Sequence, residues 1–174
     1  MKLQANKLYK VIQRKVFSKE ECEKILSVET TPASFVTYNH YDKLNIIVQN
    51  EKNKWIRDRI EKELLDINKK FYNYRDVYLQ NDIGYRVYEK GDSYKWHTDN
   101  FHGQRLSITI ILNDGYEGGQ LNIFTGEFIQ PKKQVGVMTV WPPFLFHSVD
   151  EITKGSRTAL ITFLQGPKFE FFNV

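Results

Sequence analysis

The chain has 174 residues with 41% hydrophobic and 26% charged side chains, which is ordinary globular usage and excludes a disordered polymer. Its 25 Lys and Arg against 21 Asp and Glu leave a net charge of +4, spread along the chain, which makes weak evidence for nucleic-acid binding. The single cysteine, Cys22, excludes an intramolecular disulfide and a Cys-rich zinc module, and no stretch approaches the roughly 20 apolar residues of a membrane span.

Taken in order, the elements begin with helices. Ser18 followed by Lys19, Glu20 and Glu21 has capping-box spacing, and Cys22, Ile25 and Leu26 then supply an apolar stripe, so a first helix is expected near 19–28. A second is expected from Glu51 to Tyr72, where Trp55, Ile56, Ile60, Leu64, Leu65, Ile67 and Phe71 recur at helical spacing. From Asp82 onward the pattern changes to short β-branched and aromatic runs between turn residues. Strands are expected at Gly84–Tyr88, Arg105–Leu112, Gln120–Phe124, Gln134–Trp141, Phe146–Ile152 and Arg157–Leu164. Helices followed by many strands describe an α+β chain, mainly β, with helices packed on a sandwich or barrel. No linker or repeat interrupts it, so one domain over 1–174 is expected, with helical support to about residue 80 and a β core over about 82–168. The amino terminus lacks the apolar run of a signal peptide, and a soluble, cytoplasmic, reducing setting is the expectation.

The chain has four histidines, His40, His97, His102 and His147, which bounds any metal argument tightly. In an extended segment residues i and i+2 project to one face, so His97 and Asp99 can grip a single ion. His147, in a strand-like run, is the candidate third ligand. Two imidazoles and one carboxylate on one side of Fe(II) leave positions open for substrate and O₂. Taken alone, a strand histidine is more often a satisfied core or surface residue than a ligand.

The order of motifs adds to this. Tyr88 to Asp99 reads Tyr-Glu-Lys-Gly-Asp-Ser-Tyr-Lys-Trp-His-Thr-Asp, and Arg105 to Asn113, Gly118-Gly119-Gln120-Leu121, Gly136 to Pro143, His147-Ser148-Val149 and Gly155-Ser156-Arg157 follow. This set, spanning about half the chain from Tyr85 to Gln165, resembles the Fe(II)- and 2-oxoglutarate-dependent dioxygenases, in particular the prolyl 4-hydroxylase-like branch with its small PKHD-type hydroxylases. The resemblance implies a double-stranded β-helix (jelly roll), with His97, Asp99 and His147 as iron ligands. It places Arg157 on the distal carboxylate of 2-oxoglutarate, a role suited to the guanidinium fork. It also has Tyr88 donate its hydroxyl to the co-substrate, and it makes Gly118, Gly119 and Leu121 a turn close beneath the metal pocket. Fe(II), 2-oxoglutarate and O₂ are then the expected cofactor and co-substrates, with ascorbate a plausible reductant.

The carboxylate ligand favours hydroxylation over halogenation. A prolyl residue in a protein or peptide is the favoured substrate by resemblance, with a free amino acid or other small molecule as the alternative. The AlkB-like nucleic-acid demethylases carry a second Arg six positions after the first. That position here is Phe163, which argues against nucleic acid as a partner. Tyr38, Tyr41 and His102 are the candidate substrate contacts, the first two in the weakly periodic stretch between Glu29 and Asn50. A non-catalytic barrel and a cupin-like metal enzyme stand as readings from other classes. The sequence leaves the oligomeric state open.

Overall fold

The computed structural model describes residues 9–33, 44–99 and 103–167. Ser18 closes the first helix, α1 (Lys19–Leu26), as its spacing requires: the Glu21 N–H donates to Ser18 Oγ at 3.1 Å while the Ser18 N–H donates to Glu21 Oε2 at 2.8 Å. The second helix, α2 (Lys54–Ile67), starts three residues later than its periodicity suggests. The reason is a turn in which the Asn53 N–H donates to the Asn50 carbonyl at 3.0 Å. Asn68–Tyr72 continues α2 as a wider π-type turn, and Asn73 ends it with a left-handed backbone at φ 60°. Ile56, Ile60, Leu64 and Ile67 form the buried face of α2, whereas Leu65 falls outside it and is 38% exposed.

Before α2 the chain forms β1 (Ile12–Lys15), β2 (Thr30–Pro32) and β3 (Leu44–Ile47), and after it β4 (Tyr78–Leu79), β5 (Gly84–Tyr88) and β6 (Tyr94–His97). Then come β7 (Gln104–Ile111), β8 (Glu117–Gly118), β9 (Leu121–Phe124), β10 (Phe128–Ile129), β11 (Val137–Trp141), β12 (His147–Val149), β13 (Ile152–Lys154) and β14 (Arg157–Gln165). The expected strands are all present with ends shifted by up to a few residues, and the Phe146–Ile152 run divides between β12 and β13. The first eighty residues are not helical support alone, because they also supply β1 to β4.

The strands lie in two main sheets. The major sheet runs β1-β11-β7-β14-β5-β3-β2, with β4 also on β14; the minor sheet runs β10-β9-β12-β6, and β13 pairs with β8. Every pairing among the described residues is antiparallel.

Strand alternation separates two apolar clusters. From β7, β11 and β14, the side chains of Leu106, Ile108, Ile110, Met138, Val140, Leu160 and Leu164 meet Cys22, Ile25, Ile56, Ile60 and Leu64 of the helices. The second cluster, with Tyr88, Leu121, Ile123, Trp141, Leu145, Val149 and Ile152, fills the space between the two sheets. The helices thus seal the outer face of the major sheet, and its inner face turns toward the minor sheet as a jelly roll requires. Among the described residues no helix is long and apolar enough to cross a membrane.

Candidate metal centre and its cavity

Residues of alternate parity on the inner face line one cavity. Gly84, Arg86 and Tyr88 come from β5, Ser107 and Thr109 from β7, Trp141 from β11, and Arg157, Ile161 and Phe163 from β14. His97, Asp99 and His147 close one wall, and the enclosed and adjoining open space amounts to about 890 Å³.

The three candidate ligands come together through strand register. In the β12–β6 pair His147 lies directly opposite His97, although fifty positions separate them in the chain. Asp99 follows β6 and is held by its own N–H donating to the Pro143 carbonyl at 2.8 Å. His147 Nε2 lies 3.2 Å from Asp99 Oδ2 and His97 Nε2 lies 3.5 Å from Asp99 Oδ1. One donor atom from each residue falls within 4.8 Å of the others.

Backbone carbonyls set the imidazole tautomers. His97 Nδ1 is 2.8 Å from the Lys95 carbonyl and His147 Nδ1 is 2.9 Å from the Leu145 carbonyl. A carbonyl oxygen only accepts, so each Nδ1 donates to its carbonyl and each Nε2 faces Asp99. This is the arrangement by which outer partners orient metal-binding histidines. The Trp141 ring meets the His147 ring edge-on at 4.9 Å, and Tyr94 does the same to His97 at 4.2 Å. Burial by itself would raise the Asp99 carboxyl, but hydrogen bonds from His147 and His97, with the charge on His147, outweigh it and hold the group well below the usual carboxylate range. An anionic carboxylate and two Nε2 atoms with open approach from the cavity fit a divalent metal of the Fe(II) type.

Arg157 is 2% exposed, and its Nε has no hydrogen-bond partner among the described residues. It sits at the start of β14 opposite Tyr88 of β5, with its guanidinium 5.0 Å from that ring. Burial pushes the hydroxyl of neighbouring Tyr116 up, and the Arg157 charge pulls it part of the way back. Gly119 lies tight against this side chain: a Cβ there would meet Ile152 Cδ1 at 2.4 Å and Arg157 Cδ at 3.1 Å, on a backbone at φ +60°. Gly118 is tighter still, since a Cβ would stand 2.0 Å from the Glu151 carbonyl oxygen. The expected Gly-Gly turn therefore exists because backbone and Arg157 occupy the space of a side chain. Gly119→Ala is expected to lower stability by about 1–3 kcal/mol, through strain at positive φ and overpacking, measured by urea unfolding.

Of the residues expected from sequence, His97, Asp99, His147, Tyr88 and Arg157 converge on this cavity. Tyr38, Tyr41 and His102 lie outside the described residues, as does His40. Arg86 was overlooked, although the strand Gly84–Tyr88 carries the signal: its parity matches that of Tyr88. Phe163, noted only as the absence of a second Arg, forms part of the cavity wall with Ile161, Leu44 and Ile46.

A two-sheet β-helix with two histidines and an aspartate converging on its interior defines a barrel with a candidate metal centre. Residues 83–165 match the family model of the 2OG-Fe(II) oxygenase superfamily. A PKHD-type hydroxylase of Thermosynechococcus vestitus is 32% identical over 130 residues, covering 68% of this chain and 58% of the relative. One from Prochlorococcus marinus is 36% identical over 86 residues, covering 44% and 38% respectively. The chain thus spans about half the length of these curated relatives. In fold it is similar to a Pseudomonas putida prolyl-4-hydroxylase, at a TM-score of 0.66 and 19% identity over 91% of this chain and 93% of that one. It is also similar to the viral collagen prolyl hydroxylase of Paramecium Bursaria Chlorella virus-1, at 0.67 and 15% over 92% and 97%. The chain is thus similar to the 2OG-Fe(II) oxygenase superfamily over residues 83–165 and to PKHD-type hydroxylases over as many as 130 residues. The family's metal and co-substrate are Fe(II) and 2-oxoglutarate, and the donor set of His97, Asp99 and His147 fits that metal.

Proposed function

We propose that this protein is a 2-oxoglutarate-dependent dioxygenase that hydroxylates a C–H bond, with a prolyl residue of a protein or peptide as its substrate. The observation that carries the reading is a three-donor cluster and a deeply buried arginine opening onto one cavity. His97, Asp99 and His147 would hold Fe(II), and Arg157 with Tyr88 would hold 2-oxoglutarate. When bound, this pair supplies the oxidising power: O₂ and 2-oxoglutarate become succinate and CO₂ as one oxygen atom enters the substrate C–H bond.

The chain's own groups do the positioning. The Lys95 and Leu145 carbonyls fix the two imidazole planes, and the Pro143 carbonyl fixes the Asp99 backbone, so the three donors are preorganised. Arg157 presents parallel N–H groups to a carboxylate in a site its burial keeps dry, where such a pair is strong. Trp141, Leu121 and Val149 line the metal side and exclude water. The prolyl hydroxylases among its fold neighbours support a prolyl substrate, and the names of the curated relatives support a hydroxylase.

The test is an anaerobic titration of Fe(II) and 2-oxoglutarate, followed by aerobic incubation with prolyl peptides. The expected result is a visible charge-transfer band, then succinate release coupled to a mass gain of one oxygen atom on a peptide. Iron binding without the band would favour a cupin-like chemistry. No iron binding would favour a barrel used only for binding. A band with coupled oxidation of a free amino acid, and none of peptides, would overturn the peptide part.

A further inference from the structure

We propose that Ser107 is a positioning residue of the metal centre, its hydroxyl holding the oxygen of Asp99 that does not ligate the metal. The inference rests on the metal reading of the site and goes beyond its three ligands. Ser107 lies on β7, in the row where that strand pairs with Trp141 of β11 and Phe163 of β14, and all three residues line the cavity. It is 1% exposed, and its Oγ makes no hydrogen bond of ordinary geometry among the described residues. A buried hydroxyl left so carries a desolvation cost and calls for a partner. The group beside it is Asp99, which Ser107 approaches closely enough to help keep ionised.

Loading the metal changes what Asp99 needs. Its two oxygens face the imidazoles, Oδ2 at 3.2 Å from His147 Nε2 and Oδ1 at 3.5 Å from His97 Nε2. Each Nδ1 is engaged by a backbone carbonyl, so Nε2 is the atom that each imidazole has left for a metal. A nitrogen whose lone pair binds a metal has no proton to give Asp99, so neither imidazole can then serve it as a donor. One Asp99 oxygen ligates, and the other is an anionic acceptor on a side chain only 16% exposed. Ser107 supplies the donor for it. Without that bond the second oxygen is free to turn onto the metal and close a position left open for substrate and O₂.

The hydroxyl also joins the two sheets at this point. His97 and His147 lie on β6 and β12 of the minor sheet and Asp99 just after β6, whereas β7 belongs to the major sheet that carries Tyr88 and Arg157. Ser107 thereby fixes the metal relative to the strands that would hold 2-oxoglutarate.

The test is an anaerobic titration of wild type, Ser107→Ala and Ser107→Thr with Fe(II) and then with 2-oxoglutarate. Ser107→Ala is expected to weaken Fe(II) binding by about tenfold or more, the usual loss for an outer partner of a metal ligand. At saturating Fe(II) and 2-oxoglutarate its charge-transfer band should move to longer wavelength, because an Asp99 oxygen relieved of its hydrogen bond gives more charge to the metal. Prepared without metal, Ser107→Ala should melt within about 3 °C of wild type, since its Oγ has no ordinary hydrogen bond to lose among the described residues. Ser107→Thr keeps the hydroxyl on a strand suited to a β-branched residue. It should return Fe(II) affinity to within about threefold of wild type and the band to its original position.

Fe(II) affinity in Ser107→Ala within about threefold of wild type would overturn the proposal. So would a loss that folded Ser107→Thr leaves uncorrected, or one matched by a large drop in the melting temperature without metal, since Ser107 would then serve packing alone. A wild-type protein that binds no Fe(II) sinks the metal reading as well, which keeps the two failures apart.

Discussion

His147→Ala is expected to abolish the Fe(II)–2-oxoglutarate charge-transfer band and to weaken iron binding by more than about 100-fold, because loss of outer partners alone costs 10–100-fold at such sites. The ligand atom is only part of what this substitution removes. His147 is 4% exposed, opposite His97 across the β12–β6 pair, and its Nε2 contacts Asp99 at 3.2 Å. Without it the Asp99 carboxylate keeps only the longer 3.5 Å contact to His97 among the two imidazoles. The burial that now acts against its ionisation would go less opposed, and its pKa should rise toward the ordinary range. Iron content by colorimetric assay, with the band read beside it, gives the measurement. Near-wild-type iron binding in a folded His147→Ala protein would remove the triad from the mechanism.

Arg157→Leu is expected to move function and stability in opposite directions. Affinity for 2-oxoglutarate should fall by about 100-fold or more, because a buried, charge-assisted carboxylate pair is worth about 3 kcal/mol or more when one partner is lost. The protein without co-substrate should gain stability, its melting temperature rising by about 2–4 °C. The cause is the burial of Arg157: a guanidinium at 2% exposure, with Nε unsatisfied among the described residues, has given up hydration that its neighbours only partly replace. The Tyr88 ring face at 5.0 Å recovers some of that cost through cation–π attraction. Added 2-oxoglutarate should raise the melting temperature of the wild-type protein and leave that of the variant almost unchanged, since a ligand stabilises only the fold that binds it. A variant that melts well below wild type would make Arg157 a packing residue of the barrel instead.

Both predictions concern residues whose kinship was partly legible in the chain. His97 and Asp99 share a face because they are two positions apart in an extended run, and local geometry suffices to say so. The Ser18 cap, the α2 stripe and the strands of the second half were equally local: each follows from hydrogen bonding or periodicity within a few residues. The resemblance then supported His147 as third ligand and supplied the role of Arg157 through motif order, not through any distance.

What only the tertiary structure decided depends on pairing between distant segments. The register that sets His147 against His97, and Tyr88 against Arg157, is a choice among strand alignments that no short window contains. β1, β2 and β3 escaped notice because they are short, partly exposed strands in the outer parts of the sheet. Sequences such as Ile-Gln-Arg-Lys in β1 carry little apolar signal when one face meets solvent. Arg86 is the sharpest case. By composition it is one more basic residue on a mildly basic chain, and its alternation places it on a face without saying what that face encloses. Only when β5 pairs with β14 and the minor sheet closes over them does that face become the interior of a cavity. Burial is a property of the assembled sheets, and it turns an ordinary arginine into a buried residue of the cavity wall.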